Sequence, residues 1–367
     1  MNDFPQATLE MWRARVGDPE KLASFTKDGI RIEPLYQRIA AARADKAGHG
    51  PWHIMQRVDH PDAARANAQV LDDLENGAHG LAIARGFDGL LLEGVALHAI
   101  HVRLEGGWAL AKAFAGYVAQ QPIDPARLHV SFGLKDAALA KDFLAQGFNG
   151  PFMDADGRVF HNQGATEAQE LACVVAELAG GLRKAVPTAA TLAANQDMFM
   201  TLAKFRAIRL LWARMLEASG LPFQALQVHG ETSSRMMARL DPHTNILRAT
   251  AAVFGAGLGG TDSFTVLPFS FAQGLPNRLA RRMARNTQLI LQEEAQLWRV
   301  ADAASGAGHV ESLTRELCER AWEIFQAIEK AGKLPEFDFN NETSDPIIGT
   351  KAHRLREEFE AAVEVLS

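Results

Sequence analysis

Two cysteines and two tyrosines are all that 367 residues hold of either type, and no basic block or membrane-length apolar run occurs anywhere in the chain. Each scarcity excludes a class of protein. Cys173 and Cys318 stand far apart, each in a helix-patterned segment, which supports neither a disulfide scaffold nor a thiolate metal site and fits a reducing cytoplasm. His98 and His101 lie in or before an apolar strand with no acidic partner at a zinc-site offset, so no metal is expected. The formal charge of -6 is spread without a basic footprint, which disfavours nucleic acid. The arginines of RLARRMAR, Arg278 to Arg285, recur at helical spacing and read as a solvated helix face or a subunit-facing salt-bridge surface. MNDFPQATLEMWRARV lacks the basic start and apolar centre of a secretory leader, so a cytoplasmic chain with no membrane contact is expected.

What is present is an ordinary globular composition, 47% hydrophobic and 22% charged, with enough apolar material for a sizeable core. From Trp52 onward, short β-rich stretches alternate with longer helical ones. The stretches are WHIMQRV, GLAIA, AIHVRLE, RLHVSF, PFMDAD continued by VFHN, TLAANQ, LQVHGE and SFTVLPF. Apolar residues recur at helical spacing over 64–75, 137–146, 167–184, 198–219 and 245–256. Eight strands with crossover helices predict a closed parallel barrel of the (β/α)8 type, an α/β fold whose ligand site lies at the C-terminal strand ends. Those ends include His161 to Gly164, Asn195 to Asp197, His229 to Thr232 and Leu267 to Ser270. The expected organisation is an N-terminal helical arm over 1–45, the barrel over 46–300 and a C-terminal helical extension over 301–367. The tail from Glu293 onward is expected to continue as helix, then a polar loop FDFNNETSDP leads to a charged helix from His353 to Leu366. GLGG at Gly257 to Gly260 lacks the Lys-Ser/Thr ending of a phosphate loop and reads as a tight helix-to-strand turn. Asp241-Pro242-His243 reads as a helix-start turn capped by Asp241 or Thr244.

Four segments resemble the adenosylcobalamin-dependent acyl-CoA mutases of the methylmalonyl-CoA mutase family: ARNTQLILQEE (Ala284 to Glu294), GLGGTDSFTVLPF (Gly257 to Phe269) with GLP at Gly274, LAKFRAIRLLWAR (Leu202 to Arg214) and DPHTNILRAT (Asp241 to Thr250). Two more, EMWRARVGDPEKLASFTKDGIRIEPLY and VFHNQGATEAQELA, together with TVLPF, are similar to the small (beta) subunit. The resemblance spans nearly the whole chain. It implies a part in an isomerase that rearranges the carbon skeleton of methylmalonyl-CoA to succinyl-CoA, the cofactor supplying the radical chemistry and the protein supplying binding and shielding.

Carried over position by position, the resemblance implies a catalytically silent barrel. His161 matches the histidine that hydrogen-bonds the migrating thioester and is the one good catalytic carry-over, a relic candidate; its alternative is a hydrogen-bonded loop histidine with no present role. Gln163, His229, Glu231 and Ser263 are the substrate- or cofactor-face candidates, with structural roles as their alternatives. The family's shielding tyrosine falls at Ala47, since neither Tyr36 nor Tyr117 fits. Its substrate-side glutamine falls at Phe132 or Gly133, its carboxylate-pairing arginine has no counterpart in KDAALAKDF, a CoA-binding arginine falls near Pro187 and a cofactor-facing glutamate falls at Phe271. No DxHxxG loop occurs: Asp241-Pro242-His243 runs on without glycine and Asp59-His60 lacks the spacing. A cobalamin-binding domain is therefore not expected here, nor cofactor bound to this chain alone; adenosylcobalamin belongs to a heterodimeric complex whose partner is a mutase large subunit or a cobalamin-binding chain. An active barrel that borrows a cobalamin-binding chain for a different acyl-CoA is the alternative, and a binder of unrelated small molecules the third reading. A silent barrel is further expected to be narrowed or plugged, with Phe132 and Phe271 filling its axis and His161 cut off from any bound thioester.

Overall fold

The computed structural model describes residues 7–42, 44, 46, 48, 50–334 and 361–364. The arm opens with α1 (Leu9–Val16), capped by Thr8, whose hydroxyl accepts the Met11 N–H at 3.2 Å, and ends in a small antiparallel hairpin of β1 (Ser24–Phe25) and β2 (Arg31–Ile32). The eight β-rich stretches then form eight parallel strands: β3 (His53–Val58), β4 (Gly80–Ile83), β5 (His101–Leu104), β6 (His129–Ser131), β7 (Met153–Asp156), β8 (Thr188–Ala194), β9 (Val228–Thr232) and β10 (Ser263–Thr265). Their order is β6-β5-β4-β3-β10-β9-β8-β7. Main-chain bonds between Leu134, just past β6, and Phe152 and Asp154 at β7 bring the two outer strands together. Closure removes the edges that an open sheet would expose.

Helices α2 (Ala63–Glu75), α3 (Gly107–Val118), α4 (Ala137–Ala145), α5 (Arg158–Gln163), α6 (Glu167–Arg183), α7 (Met198–Ala218) and α8 (Thr244–Leu258) make the crossovers, and α9 (Arg278–Leu289) follows the last strand. Aspartates set several starts, because a side-chain oxygen there satisfies an orphan N–H of the first turn: Asp62 accepts from Arg65 N, Asp136 from Ala138 N and Asp197 from Met200 N. Asp241 likewise accepts from Thr244 N at the start of α8. Between β4 and β5 the glycine-punctuated chain forms only two 3-10 turns, Gly89–Leu92 and Leu97–Ala99. Outside the ring, α10 (Gly308–Ala331) packs on α6 and α7, burying Leu313, Leu317, Ala321 and Phe325 at four-residue spacing.

Several expectations need correction. VFHN does not extend β7 but lies in α5, because the chain turns at Gly157 and closes a short helix at Gly164, whose φ of 116° only glycine adopts readily. The helix at Glu293 ends: a π-turn over Ile290–Glu294 gives way to turns before α10 begins. At residues 361–364 the chain is extended, not helical, and Val363 bridges Pro276; the rest of the expected final helix, FDFNNETSDP and Ala47 lie outside the described residues. Arg281 and Arg285 are buried, not solvated, both paired with Asp73 of α2. Among the described residues no helix is long and apolar enough to cross a membrane.

Candidate functional site in the barrel interior

Period-two alternation turns every second residue of a barrel strand inward. On β5 these are His101 and Arg103, with Glu105 following; on β3, His53, Met55 and Arg57; on β9, His229 and Glu231. The interior is accordingly layered, imidazoles at the N-terminal strand ends and ion pairs above them.

In the N-terminal layer His53 stacks on His101 at 3.7 Å between ring centroids, His101 on His129 at 4.8 Å, and His79 meets His53 edge-on at 6.1 Å. Gly80 of β4 permits this, since a Cβ there would lie 2.3 Å from the His101 carbonyl and 2.8 Å from Met55 Sδ. The rings line a cavity of about 700 Å³ that reaches inward to Arg103, Ser131, His229 and Ser263. Burial, then the neighbouring imidazoles, pushes His101 down to about 4; burial also lowers His53 and His79. Lowered in this way, the His53, His79 and His101 rings favour their neutral form.

Above the cavity a buried ion network crosses the barrel. Arg103 Nε donates to Glu105 Oε1 at 2.9 Å, and its Nη2 binds Asp154 and, at 2.8 Å, Thr191 Oγ1. Arg158 bridges Glu105 (2.8 Å), Asp156 (2.9 Å) and Glu231 (3.0 Å). Arg57 joins Asp59 (3.0 Å) and Glu105 (3.2 Å). Burial alone would raise Glu105, but Arg158, Arg103 and Arg57 overcome it and hold the carboxyl well below its usual range. Glu231 goes the other way: burial, reinforced by Glu105, outweighs Arg158 and Arg57 and pushes it up.

Beyond the network, at the C-terminal face, α5 carries His161. Its Nε2 lies 2.8 Å from Ser233 Oγ, just past β9, and its Nδ1 lies 3.2 Å from Glu170 of α6. His161, Glu167 and Glu170 are close enough to one another to suit a metal. The ammonium of Lys204 on α7, however, binds both carboxylates and already supplies the positive charge.

The sequence-singled residues thus divide. His161 faces a separate cavity of about 440 Å³, together with Ser233 and the β1–β2 hairpin, and does not line the N-terminal one. His229 is not at a strand end but second in β9, hydrogen-bonded through Nδ1 to Ser263 Oγ at 2.8 Å and with Nε2 3.3 Å from Thr265 Oγ1; both His229 and Ser263 line the N-terminal cavity. Glu231 belongs to the ion network. Gln163 is exposed at the end of α5, where a position two residues from His161 turns away on the helix. The aromatic plug is overturned at Phe132. Phe132 packs among Phe143, Phe148 and Phe152, on the helix side of the sheet, and Phe271 lies with Arg57 5.9 Å over its ring. Charged residues close the axis instead. Sequence reading missed Arg57, Arg103, Glu105 and Arg158, although charges alternating within HVRLE were a legible sign. It also missed Ser233, Glu170 and Lys204 as site residues, although Glu170 lies in VFHNQGATEAQELA and Lys204 in LAKFRAIRLLWAR.

Residues 152–361 match the family model described as Methylmalonyl-CoA mutase. The chain is 37% identical to the methylmalonyl-CoA mutase small subunit of Streptomyces virginiae, with 90% of this chain and 64% of that protein covered. It is also 37% identical to the probable methylmalonyl-CoA mutase small subunit of Mycobacterium tuberculosis (88% and 62% covered) and 30% identical to the methylmalonyl-CoA mutase small subunit of Propionibacterium freudenreichii subsp. shermanii (96% and 67%). The chain spans 64% and 62% of the length of the first two.

Proposed function

Because this chain belongs to the methylmalonyl-CoA mutase family, we propose that it is the barrel of a small subunit that supports a catalytic large subunit in the methylmalonyl-CoA/succinyl-CoA rearrangement without performing it. One observation carries the reading. The cavity entered from the N-terminal strand ends stops at Arg103 and His229, and the network of Arg57, Arg103, Glu105, Asp154, Asp156, Arg158 and Glu231 stands between it and His161. A thioester threaded along the axis would have to displace buried, mutually paired charges, each costing several kcal/mol to strand. His161 then serves a hydrogen-bonded network in place of a migrating thioester.

In the complex, adenosylcobalamin supplies the radical chemistry and is held by the partner. Neither His161 nor His229 fits a cobalt ligand. His161 and His229 are each 3% exposed, and both ring nitrogens of each face a polar partner. No rearrangement step is assigned to this chain.

The test is co-purification with a panel of mutase large subunits, followed by size-exclusion chromatography and turnover assays with adenosylcobalamin. The expected outcome is a stoichiometric complex with one of them and no turnover by this chain with a cobalamin-binding protein alone. Absence of a complex across the panel, or turnover without a large subunit, overturns the reading.

A further inference from the structure

At the C-terminal face, Ser233, His161 and Glu170 form one line across three elements of the barrel. Ser233 Oγ is 2.8 Å from His161 Nε2, and His161 Nδ1 is 3.2 Å from Glu170 Oε2. Ser233 Oγ can donate to Nε2 when the ring proton sits on Nδ1, the nitrogen on the Glu170 side. Glu170 is itself fixed, by the Ala193 N–H at 2.9 Å and by Lys204 at 2.7 Å. A hydroxyl on an imidazole whose far nitrogen faces a carboxylate is the arrangement that activates a serine nucleophile on unrelated folds. The serine and histidine also have somewhere to act. Both line the cavity of about 440 Å³ beneath the β1–β2 hairpin, and Arg235, two residues past the serine, lines it with them while its Nη1 donates to the His161 carbonyl at 2.6 Å.

We propose that this is a nucleophilic site that hydrolyses short-chain activated acyl compounds, esters or thioesters, through an acyl-Ser233 intermediate. The proposal stands independently of the subunit reading. Ser233 Oγ attacks the acyl carbon as its proton passes to His161 Nε2. The carbon–sulfur or carbon–oxygen bond to the leaving group breaks, and the departing thiolate or alkoxide takes that proton. Water then attacks the acyl ester and gives a proton to Nε2; the carbon–Oγ bond breaks, Ser233 recovers its proton and a free carboxylic acid leaves. Glu170 is a positioning residue. Its charge is shared with Lys204, and its contact with Nδ1 departs from good hydrogen-bond alignment, so it orients the ring more than it strengthens it, and slow turnover is the expectation.

The experiment treats the full chain with a fluorophosphonate probe and with p-nitrophenyl acetate and acetyl-thiocholine, and maps the modified peptide by mass spectrometry. Expected are a single phosphonyl adduct on Ser233, hydrolysis reduced to the surface-histidine background in S233A, a loss on the order of 10²- to 10³-fold in H161Q, and in E170Q a fall in kcat with KM unchanged. S233C, which keeps a nucleophile, retains covalent labelling at residue 233. The adduct on the parent chain is read without any variant, so a variant that fails to fold does not decide the matter. No adduct at Ser233, or S233A hydrolysing as fast as the parent, overturns the proposal; loss of large-subunit binding alone does not touch it.

Discussion

Glu105 and Glu231 are identical side chains a few ångströms apart whose environments drive them in opposite directions. Glu105 receives guanidinium nitrogens of Arg57, Arg103 and Arg158, whereas Glu231 is left with Arg158 and a longer 3.8 Å approach from Arg57. Removing one member of a buried, paired set strands the others, at about 3–5 kcal/mol. Glu105→Gln should therefore lose about that much in urea denaturation at pH 7. The folded value of Glu105 is depressed, so its contribution is complete above the unfolded value of about 4.3 and disappears as pH falls through the folded one. For Glu231 the sign reverses, because a raised value stabilises at low pH and opposes folding once pH rises past it. Glu231→Gln should therefore cost less at pH 7 than Glu105→Gln. A larger loss for Glu231→Gln than for Glu105→Gln would contradict this account of the network.

Between elements, α9 and α2 are joined under the barrel wall by one carboxylate. Asp73 takes Arg281 and Arg285 of α9 and, at 3.0 Å, the Gln56 amide of β3, all of them buried. One helical turn away, Arg278 pairs with Asp72 while its side chain is 83% exposed. Asp73→Asn should cost about 3–5 kcal/mol, whereas Arg278→Ala should stay within about 1 kcal/mol. Chemical denaturation of both variants separates them, and equal losses would mean that α9 is not anchored through Asp73. The helical period of RLARRMAR was legible in the sequence. Which of its arginines face inward was not, because that depends on where α2 sets Asp73.

The whole barrel brings four imidazoles together from β3, β5, β6 and the segment before β4, residues spread over more than seventy positions. With His101 held at about 4 in the folded chain and at about 6.5 unfolded, the unfolded state binds more protons between those values. Stability should accordingly fall as pH drops from about 6.5 toward 4, and His101→Gln should flatten that fall. Urea midpoints measured from pH 7.5 to 4.5 test it; an unchanged slope in the variant would show that the stacked rings do not govern the acid limb.

The order of eight strands, the parallel barrel and the family resemblance were determined by the sequence alone, because the alternation of short β-rich and longer amphipathic segments is written locally. What fills the axis was decided only in three dimensions. Phe132 read as a plug by its residue type, yet strand register turns it toward Phe143 and Phe148 on the helix side. The inward positions went to Arg103, Glu105, Glu231 and the histidines, whose pairing requires strands distant in sequence to close into a ring. The same holds at the C-terminal face. Ser233, His161 and Glu170 lie on segments up to 72 residues apart, and only the succession of parallel strands, each ending at the same face, sets them within hydrogen-bond reach.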